Sequence, residues 1–301
     1  MSVTVSKAIE LDIKRIAIAS SGNAGASLAA YATKAGIDCT VLTPWFTPSE
    51  KIIQIGIYGP RILKVRGTVD DARKLIDKAE NRFNWVPFNT SFLRAYFIEG
   101  MKTIAFEIYE QLDRNIPDTI VIPTGSGLSL LGVWKGFKEL EEMGIIDKFP
   151  RFVAVQTEVI HPIVDVFKGK LPCRKKLRKE SQSVATALCI SEPPELYLVV
   201  NTIKETKGIA ITVSDENILK AQVDLVRMEG IFAEPSGAAG IAGLIKLIEK
   251  GKVDPDENIV CLVTGSGFHD LRSAKSLFTN PPTIDPTIMD LEQAYSQTNG
   301  K

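Results

Sequence analysis

Histidine and cysteine are both scarce in this chain of 301 residues, which has two histidines and four cysteines. The cysteines are widely separated, and no pair has the C-x-x-C spacing of a zinc or redox site: Cys39, Cys173, Cys189 and Cys261. This pattern predicts reduced thiols rather than disulfides, and it predicts no metal site. No nucleophile and base stand in a recognisable catalytic motif either, so the chemistry must be sought elsewhere in the sequence.

The chain also has no excess of charge of either sign, since 36 basic side chains balance 36 acidic ones. This balance predicts that the partner is a small molecule and is neither nucleic acid nor a membrane surface. The one basic run, residues 174–179, is interpreted as a solvated loop. No apolar run is long enough to span a membrane, and the first residues do not resemble a signal peptide. We therefore expect a soluble cytoplasmic protein.

What the sequence does contain is a regular alternation of short β-branched runs and helical patterns. Strands are predicted at residues 16–19, 39–42, 61–65, 85–88, 119–122, 151–156, 210–213 and 259–263. Helices are predicted at residues 1–12, 23–34, 49–57, 70–81, 98–112, 130–143, 214–228 and 237–249. Such alternation is typical of the α/β class with parallel sheets between helices. The wholly apolar strands 119–122 and 259–263 are expected to be buried on both faces.

A domain boundary is predicted near Pro117, where a long helix ends and an apolar strand begins. We expect two domains, each a mostly parallel sheet flanked by helices. The smaller comprises residues 13–117, and the larger comprises residues 1–12 together with 118–301. Sheets of this kind bind ligands beyond the carboxyl ends of their strands.

Two glycine-containing loops follow predicted strands and precede helices. Residues 20–25 (SSGNAG) could form a cradle for a carboxylate or a phosphate, or could equally be a capped turn. Residues 124–129 (TGSGLS) form a second candidate anion site. The second loop has neither the lysine of a Walker motif nor the full dinucleotide fingerprint.

Two further segments have polar side chains at loop positions. Thr264 opens the run TGSGFHD after an apolar strand, and its hydroxyl could pair with a ring nitrogen. His269 in the same run is interpreted as a surface or capping residue. Residues 234–239 (EPSGAA) are typical of ordinary helix capping. Taken together, the loops suit a ligand with an anionic group at one end and a polar ring at the other.

Five longer segments, in this order, resemble the threonine synthases within the fold type II pyridoxal-phosphate (PLP) enzymes. They are SSGNAGASLAAYATKAG (20–36), NTSFLRAYFIEGMKTIAFEIYEQL (89–112), PTGSGLSLLGVWKGFKEL (123–140), MEGIFAEPSGAAGIAGL (228–244) and VTGSGFHD (263–270). The resemblance implies the tryptophan synthase β-like fold, a homodimer and PLP as cofactor. It also implies a lyase that converts O-phosphohomoserine to threonine and phosphate by elimination and replacement.

The resemblance implies roles for individual residues. The cofactor would be held at its ring hydroxyl by Asn23, at its pyridine nitrogen by Thr264, and at its phosphate by backbone N–H groups of Gly125, Ser126, Gly127, Leu128 and Ser129. The substrate carboxylate would be held by Ser20, Ser21, Gly22 and the backbone of Ala24. Arg94 and Lys102 are candidates for the substrate phosphate, because a guanidinium binds phosphate with two hydrogen bonds, and either could equally be a surface charge. Lys102 is interpreted as a surface charge.

The chain departs from the family pattern in two places. Leu128 and Ser129 replace the glycine and asparagine that are common in the family's phosphate loop, which weakens the expected cofactor affinity. In the family a Ser-Phe-Lys-Asp-Arg-Gly motif, whose lysine forms the Schiff base with PLP, precedes the segment that corresponds to Met1 onward. We therefore expect an N-terminally truncated chain that is inactive as it stands, and we assign no catalytic residue; Lys7 and Lys14 match no such motif.

Three other interpretations are compatible with the sequence. The chain could be a non-catalytic relative that binds PLP or an amino acid. It could be another fold type II lyase or deaminase, because substrate choice depends mainly on Arg94. It could also be a Rossmann-like nucleotide binder that uses loop 124–129, although no ribose-binding acid is evident.

Overall fold

A computed structural model of the chain describes residues 1–172, 183–275 and 280–298. Its strands form two four-stranded sheets, and every pairing between strands is parallel. The predicted α/β class with two parallel sheets and flanking helices is confirmed. The division into domains 13–117 and 1–12 with 118–301 stays a prediction. Cys173 and the basic run 174–179 lie outside the described residues.

The first sheet has the strand order β3-β2-β1-β4. Its strands are β1 (Arg15–Ala19), β2 (Asp38–Pro44), β3 (Arg61–Val65) and β4 (Val86–Pro87). The helices that precede, connect or follow these strands in the sequence are α1 (Ser2–Glu10), α2 (Asn23–Ala35), α3 (Ser49–Gly56), α4 (Val69–Phe83) and α5 (Ser91–Met101). Helix α2 begins four residues after β1 and ends at Gly36, whose φ of 68° is readily adopted by glycine. The short β1–α2 connection places residues 20–24 at the carboxyl end of the sheet.

The second sheet has the order β7-β6-β5-β8. Its strands are β5 (Thr119–Pro123), β6 (Arg151–Thr157), β7 (Ile209–Val213) and β8 (Ile259–Cys261). The remaining helices are α6 (Thr103–Gln111), α7 (Leu128–Glu142), α8 (Pro162–Phe167), α9 (Leu196–Glu205), α10 (Asp215–Glu229), α11 (Pro235–Glu249), α12 (Leu271–Lys275) and α13 (Ile288–Thr298). Strand β5 is buried along its whole length because both of its faces are covered. Ile120 and Ile122 pack in one hydrophobic cluster and Val121 in another.

Three predictions about secondary structure were wrong. The helix predicted at 98–112 begins instead at Ser91, where the Thr90 side chain accepts a hydrogen bond from the Leu93 N–H (3.2 Å), and the chain turns at Lys102 before α6. Helices α8, α9, α12 and α13 were not predicted. The expectation that strand 259–263 is buried on both faces also fails, because β8 is a shorter strand at the sheet edge and only partly buried.

Candidate active site

The loop between β1 and α2 is held in shape by one of its own side chains. The Ser20 hydroxyl accepts hydrogen bonds from the Gly25 N–H (3.0 Å) and the Gly22 N–H (3.3 Å). The N-cap residue Gly22 has no capping side chain, so apart from the Gly25 N–H, which donates to Ser20, the first turn of α2 keeps N–H groups available for an anion. Residues 20–24 line a cavity of about 300 Å³, which we call the smaller cavity. The predicted carboxylate loop therefore borders a cavity, although the Ser20 side chain is occupied within the loop.

The loop between β5 and α7 requires its two glycines. A Cβ atom at Gly125 would lie 2.7 Å from the carbonyl oxygen of Ala187. Gly127 has a φ of 86°, and a Cβ there would lie 2.3 Å from a methyl group of Val199. Helix α7 begins directly after Gly127 with no side-chain cap, so this loop presents a second uncapped helix N-terminus.

These loops and the segments around Glu234 and Thr264 surround an open cavity of about 570 Å³, which we call the larger cavity. A backbone hydrogen bond from the Glu234 N–H to the Gly265 carbonyl (2.8 Å) ties two of the segments together. The predicted cofactor residues on its lining are Asn23, Gly125, Ser126, Gly127, Ser129 and Thr264. Leu128 lines the smaller cavity instead. Since Asn23, Ser126 and Ser129 line both, the two cavities adjoin.

A buried polar cluster that the sequence did not reveal lies where the cavities meet. Lys51 is 4% exposed and Glu234 is 2% exposed. The Lys51 amine donates a hydrogen bond to the Thr186 hydroxyl (3.3 Å) and lies 3.8 Å from Glu234 and 4.0 Å from Asp270. Burial raises the pKa of the Glu234 carboxyl, and the charge of Lys51 opposes that rise. No local signal marks Lys51, which stands in the first turn of an amphipathic helix.

Asn23 connects this cluster to the larger cavity. Its Nδ2 donates to Glu234 Oε1 (2.9 Å), while its buried Oδ1 has no hydrogen-bond partner. Buried polar atoms without partners are uncommon and often mark a site that a ligand completes. Asn23 is therefore suited to contact a polar group in the larger cavity, as the resemblance implies.

The guanidinium of Arg94 borders the smaller cavity but is not free. It donates to Glu195 Oε1 from Nε (3.1 Å) and Nη2 (2.9 Å), and it also contacts the carbonyl of Asn89. Arg73 borders the same cavity and pairs with Asp70 at 3.3 Å. Lys102, in contrast, lines neither cavity and pairs with Glu99 (2.7 Å) and Glu139 (2.9 Å). The structure thus places Arg94 near the site and Lys102 away from it.

The site fits the cofactor that the resemblance implies. The glycine cradle and an uncapped helix N-terminus suit the phosphate of PLP, and the unpartnered amide oxygen of Asn23 and the hydroxyl of Thr264 suit polar atoms of its ring. Among the described residues, no group of three or more histidine, cysteine or acidic side chains could hold a metal ion. No helix in the described part of the chain is long and apolar enough to cross a membrane.

Fold and site together define a cofactor-dependent α/β enzyme. A family model described as pyridoxal-phosphate dependent enzyme matches residues 1–265, and the chain belongs to that family. Threonine synthase from Methanosarcina acetivorans is 38% identical over 295 residues, which is 98% of this chain and 72% of that protein. Threonine synthase from Bacillus sp. (strain ULM1) is 36% identical, over 100% of this chain and 81% of that protein. The resemblance to the threonine synthases is confirmed.

Solved structures agree on the fold. Diaminopropionate ammonia lyase from Escherichia coli superposes with a TM-score of 0.77 at 16% identity, over 92% of this chain and 77% of that one. The processed form of threonine deaminase isoform 2 from Solanum lycopersicum gives a TM-score of 0.67 at 18% identity, over 100% of this chain and 79% of that one. The protein is thus a PLP-dependent lyase of fold type II with threonine synthase-like function.

Proposed function

We propose that the protein acts on O-phosphohomoserine and forms threonine and phosphate, and that it does so in the cytoplasm as a homodimer. The observation that carries the substrate proposal is the charge around the smaller cavity. Its lining has three cationic side chains, Lys51, Arg73 and Arg94, and one carboxylate, Asp70, beside the start of α2. A phosphorylated amino acid has two anionic groups, one for the helix N-terminus and one for these cations.

The residues of the larger cavity have distinct proposed tasks. Backbone N–H groups of residues 125–129 would hold the phosphate of PLP, and Asn23 and Thr264 would orient its ring. Bound PLP supplies an electron sink for bonds at the α-carbon of an amino acid. A neutral hydroxyl at residue 264 cannot keep the ring nitrogen protonated as a carboxylate would. The sink is therefore weaker, which suits elimination and replacement at the β or γ carbon.

We further propose that turnover by the 301-residue chain is slow. No lysine among the described residues lines the larger cavity. The Lys51 amine lies at its border with the smaller cavity but is engaged with Thr186, Glu234 and Asp270, so we do not assign it the proton transfers. Loss of a general acid–base group typically costs about 10²–10⁴-fold in rate. A small primary amine such as ethylamine is expected to restore part of that rate in proportion to its concentration.

The direct test is to incubate the purified chain with PLP, O-phosphohomoserine and ethylamine, and to quantify threonine and inorganic phosphate. We expect equal amounts of the two, because one replacement releases one phosphate. Keto acid and ammonia in place of threonine would favour a deaminase. Saturable PLP binding with no product at any amine concentration would favour the non-catalytic relative, for which the absence of a described lysine in the larger cavity is the specific support.

Arg94→Ala is expected to raise the KM for O-phosphohomoserine by about 10–100-fold, since a charge-assisted pair to phosphate contributes roughly 1.5–3 kcal/mol. Lys102→Ala is the matched control, because it also removes a partly buried cation held by glutamates but lies outside both cavities. The KM of Lys102→Ala for O-phosphohomoserine should stay unchanged. Steady-state phosphate release measures both variants, and an equal KM for the two would remove Arg94 from the substrate site.

A further inference from the structure

The carboxylate of Glu234 occupies an unusual position for a residue that precedes a helix. Glu234 is the N-cap of α11, yet its side chain makes no capping hydrogen bond with that helix. It is directed instead into the interior, where the residue is 2% exposed. An acidic N-cap residue is ordinarily stabilised by N–H groups of its own helix, and burial of a carboxylate is costly. Some other interaction must therefore hold the carboxylate where it is.

The neighbouring loop is built around this carboxylate. A Cβ atom at residue 265 would lie 2.2 Å from Glu234 Oε1 and 2.4 Å from its Cδ, so only glycine at this position leaves room. The same stretch is fixed by the hydrogen bond from the Glu234 N–H to the Gly265 carbonyl and by a bridge between Ala233 and Ser266. The side chain of Glu234 is thus locked beside the residue that follows Thr264.

The hydrogen bond to Asn23 gives the carboxylate a specific effect. A side-chain amide can present either its oxygen or its nitrogen to a neighbour, and an ionised carboxylate only accepts. Glu234 Oε1 therefore selects the orientation in which Asn23 Nδ2 faces it, at 2.9 Å. The other polar atom of the amide, Oδ1, is left without a partner, and Asn23 lines both cavities. Without the carboxylate, both orientations of the amide would be available.

The charges that face Glu234 come from several segments. The Lys51 amine of α3 is 3.8 Å from Glu234, and Asp270 lies 4.0 Å from the same amine. His269 borders the larger cavity, and Asn23 approaches from α2. Burial raises the pKa of Glu234, and Asp270 adds to that rise while Lys51, Asn23 and His269 oppose it. A protonated Glu234 could donate to the amide, so the selected orientation depends on the charge of this residue.

We propose that Glu234 is a positioning residue. Its carboxylate fixes the Asn23 amide in one orientation, and the ring of PLP would contact the amide in that orientation. The proposal shares one assumption with the function proposed above, namely that Asn23 contacts the ring of PLP. Glu234 itself acts through Asn23.

A double-mutant cycle on cofactor binding tests this. The proteins are the parent chain, Asn23→Ala, Glu234→Gln and the double variant, each titrated with PLP at fixed pH and followed by absorbance. Glu234→Gln keeps the volume of the side chain, but the new amide can face Asn23 with either its oxygen or its nitrogen. We expect Glu234→Gln to raise the Kd for PLP about tenfold, and we expect no further rise in the Asn23→Ala background, because an interaction that acts through Asn23 disappears with it.

A spectroscopic readout separates positioning from a merely structural role. The absorbance maximum of bound PLP should depend on pH differently in the parent chain and in Glu234→Gln, because the ionisable groups of PLP are common to both proteins and only the parent has the Glu234 carboxyl. If Glu234→Gln does not fold, Gly265→Ala is the second variant, because it displaces the carboxylate from Asn23 while keeping its charge. It should raise the Kd for PLP in the same way.

Three results would overturn the inference. The first is an unchanged Kd and spectrum in both Glu234→Gln and Gly265→Ala, and the second is no saturable PLP binding by the parent chain. The third is a double variant whose losses add, since that would show that Glu234 acts independently of Asn23. The titration contains no amino acid substrate. A chain that completes the cycle as expected but forms no threonine would therefore contradict the proposed function and leave the role of Glu234 standing.

Discussion

Gly127→Ala is expected to lower the free energy of unfolding by about 3 kcal/mol and to weaken PLP binding more than tenfold. The loss of stability has two causes, a left-handed backbone that alanine disfavours and an overpacked contact. The backbone at Gly127 has a φ of 86°, and the added methyl would lie 2.3 Å from Val199 Cγ2 and 3.2 Å from Cγ1. Val199 is fully buried and β-branched, so it cannot rotate away. The loop that would hold the cofactor phosphate must therefore move.

Gly144→Ala isolates the backbone contribution. Gly144 also has a positive φ, 68°, but nothing lies within 4 Å of the position that a Cβ would take. We expect Gly144→Ala to lower the free energy of unfolding by about 1 kcal/mol and to leave the affinity for PLP unchanged. Urea denaturation and PLP titration of both variants give the comparison. Equal losses of stability in the two proteins would show that the contact with Val199 is not tight, and unchanged PLP affinity in Gly127→Ala would remove this loop from the phosphate site.

Adding Val199→Ala to Gly127→Ala provides an internal check on the cause. The second substitution alone leaves a cavity and should destabilise the protein by roughly 1–3 kcal/mol. In the double variant the two losses should sum to less than their separate values, because the smaller side chain makes room for the new methyl group. If the stability losses of the two single variants simply add in the double variant, there is no steric clash between residues 127 and 199.

The loops of the site could be predicted from the sequence because their signals are local. A β-branched strand, then glycine and hydroxyl residues, then a helical pattern is sufficient to place residues 20–25 and 124–129 at strand ends. The resemblance of the longer segments added the cofactor. The start of α5 was misplaced, because the aromatic residues at 92–97 have low intrinsic helix propensity and the helix is stabilised by packing of Leu93 in the core.

The polar cluster could not be predicted, because it depends on contacts between distant parts of the chain. Glu234 precedes a proline and was interpreted as capping, and only the fold brings it to Asn23, 211 residues away. Lys51 follows Glu50 in an amphipathic helix that buries Ile55, and its position beside an acidic residue is typical of a surface lysine. Arg94 was expected to face a phosphate, but its pairing with Glu195 arises from α9, which the sequence did not predict. Propensity and motif spacing contain no information on such pairings.

Lys51→Met is expected to lower the free energy of unfolding by about 3 kcal/mol at pH 8, within the range for removing one partner of a buried ion pair. The substitution keeps most of the side-chain volume and removes the amine that lies 3.8 Å from Glu234 and 4.0 Å from Asp270. Two acidic groups would then face each other with no cation between them. Lys34→Met, on the exposed side of α2, is the control and should change stability by less than about 0.5 kcal/mol.

The pH dependence of the Lys51→Met defect follows from Glu234. Burial already raises the pKa of this carboxyl in the native protein, and loss of the Lys51 charge should raise it further. A group with a raised native pKa favours the folded state below its unfolded pKa, and that contribution is lost as pH rises through the native pKa. The deficit in stability should therefore be small near pH 5 and grow toward pH 8. Chemical denaturation of the cofactor-free proteins across this range measures it.

Combining Lys51→Met with Glu234→Gln should recover part of the lost stability at pH 8, because the neutral amide removes the carboxylate that was left without its cation. The same double variant should lose most of the pH dependence, since the group with the raised pKa is gone. A double variant that is less stable than Lys51→Met, with a deficit independent of pH, would mean that the amine is held by packing and by the Thr186 hydroxyl rather than by the charge of Glu234. If recovery is observed, the buried ion pair joins α3, on the smaller cavity, to the start of α11, on the larger cavity, through the charges of Lys51 and Glu234.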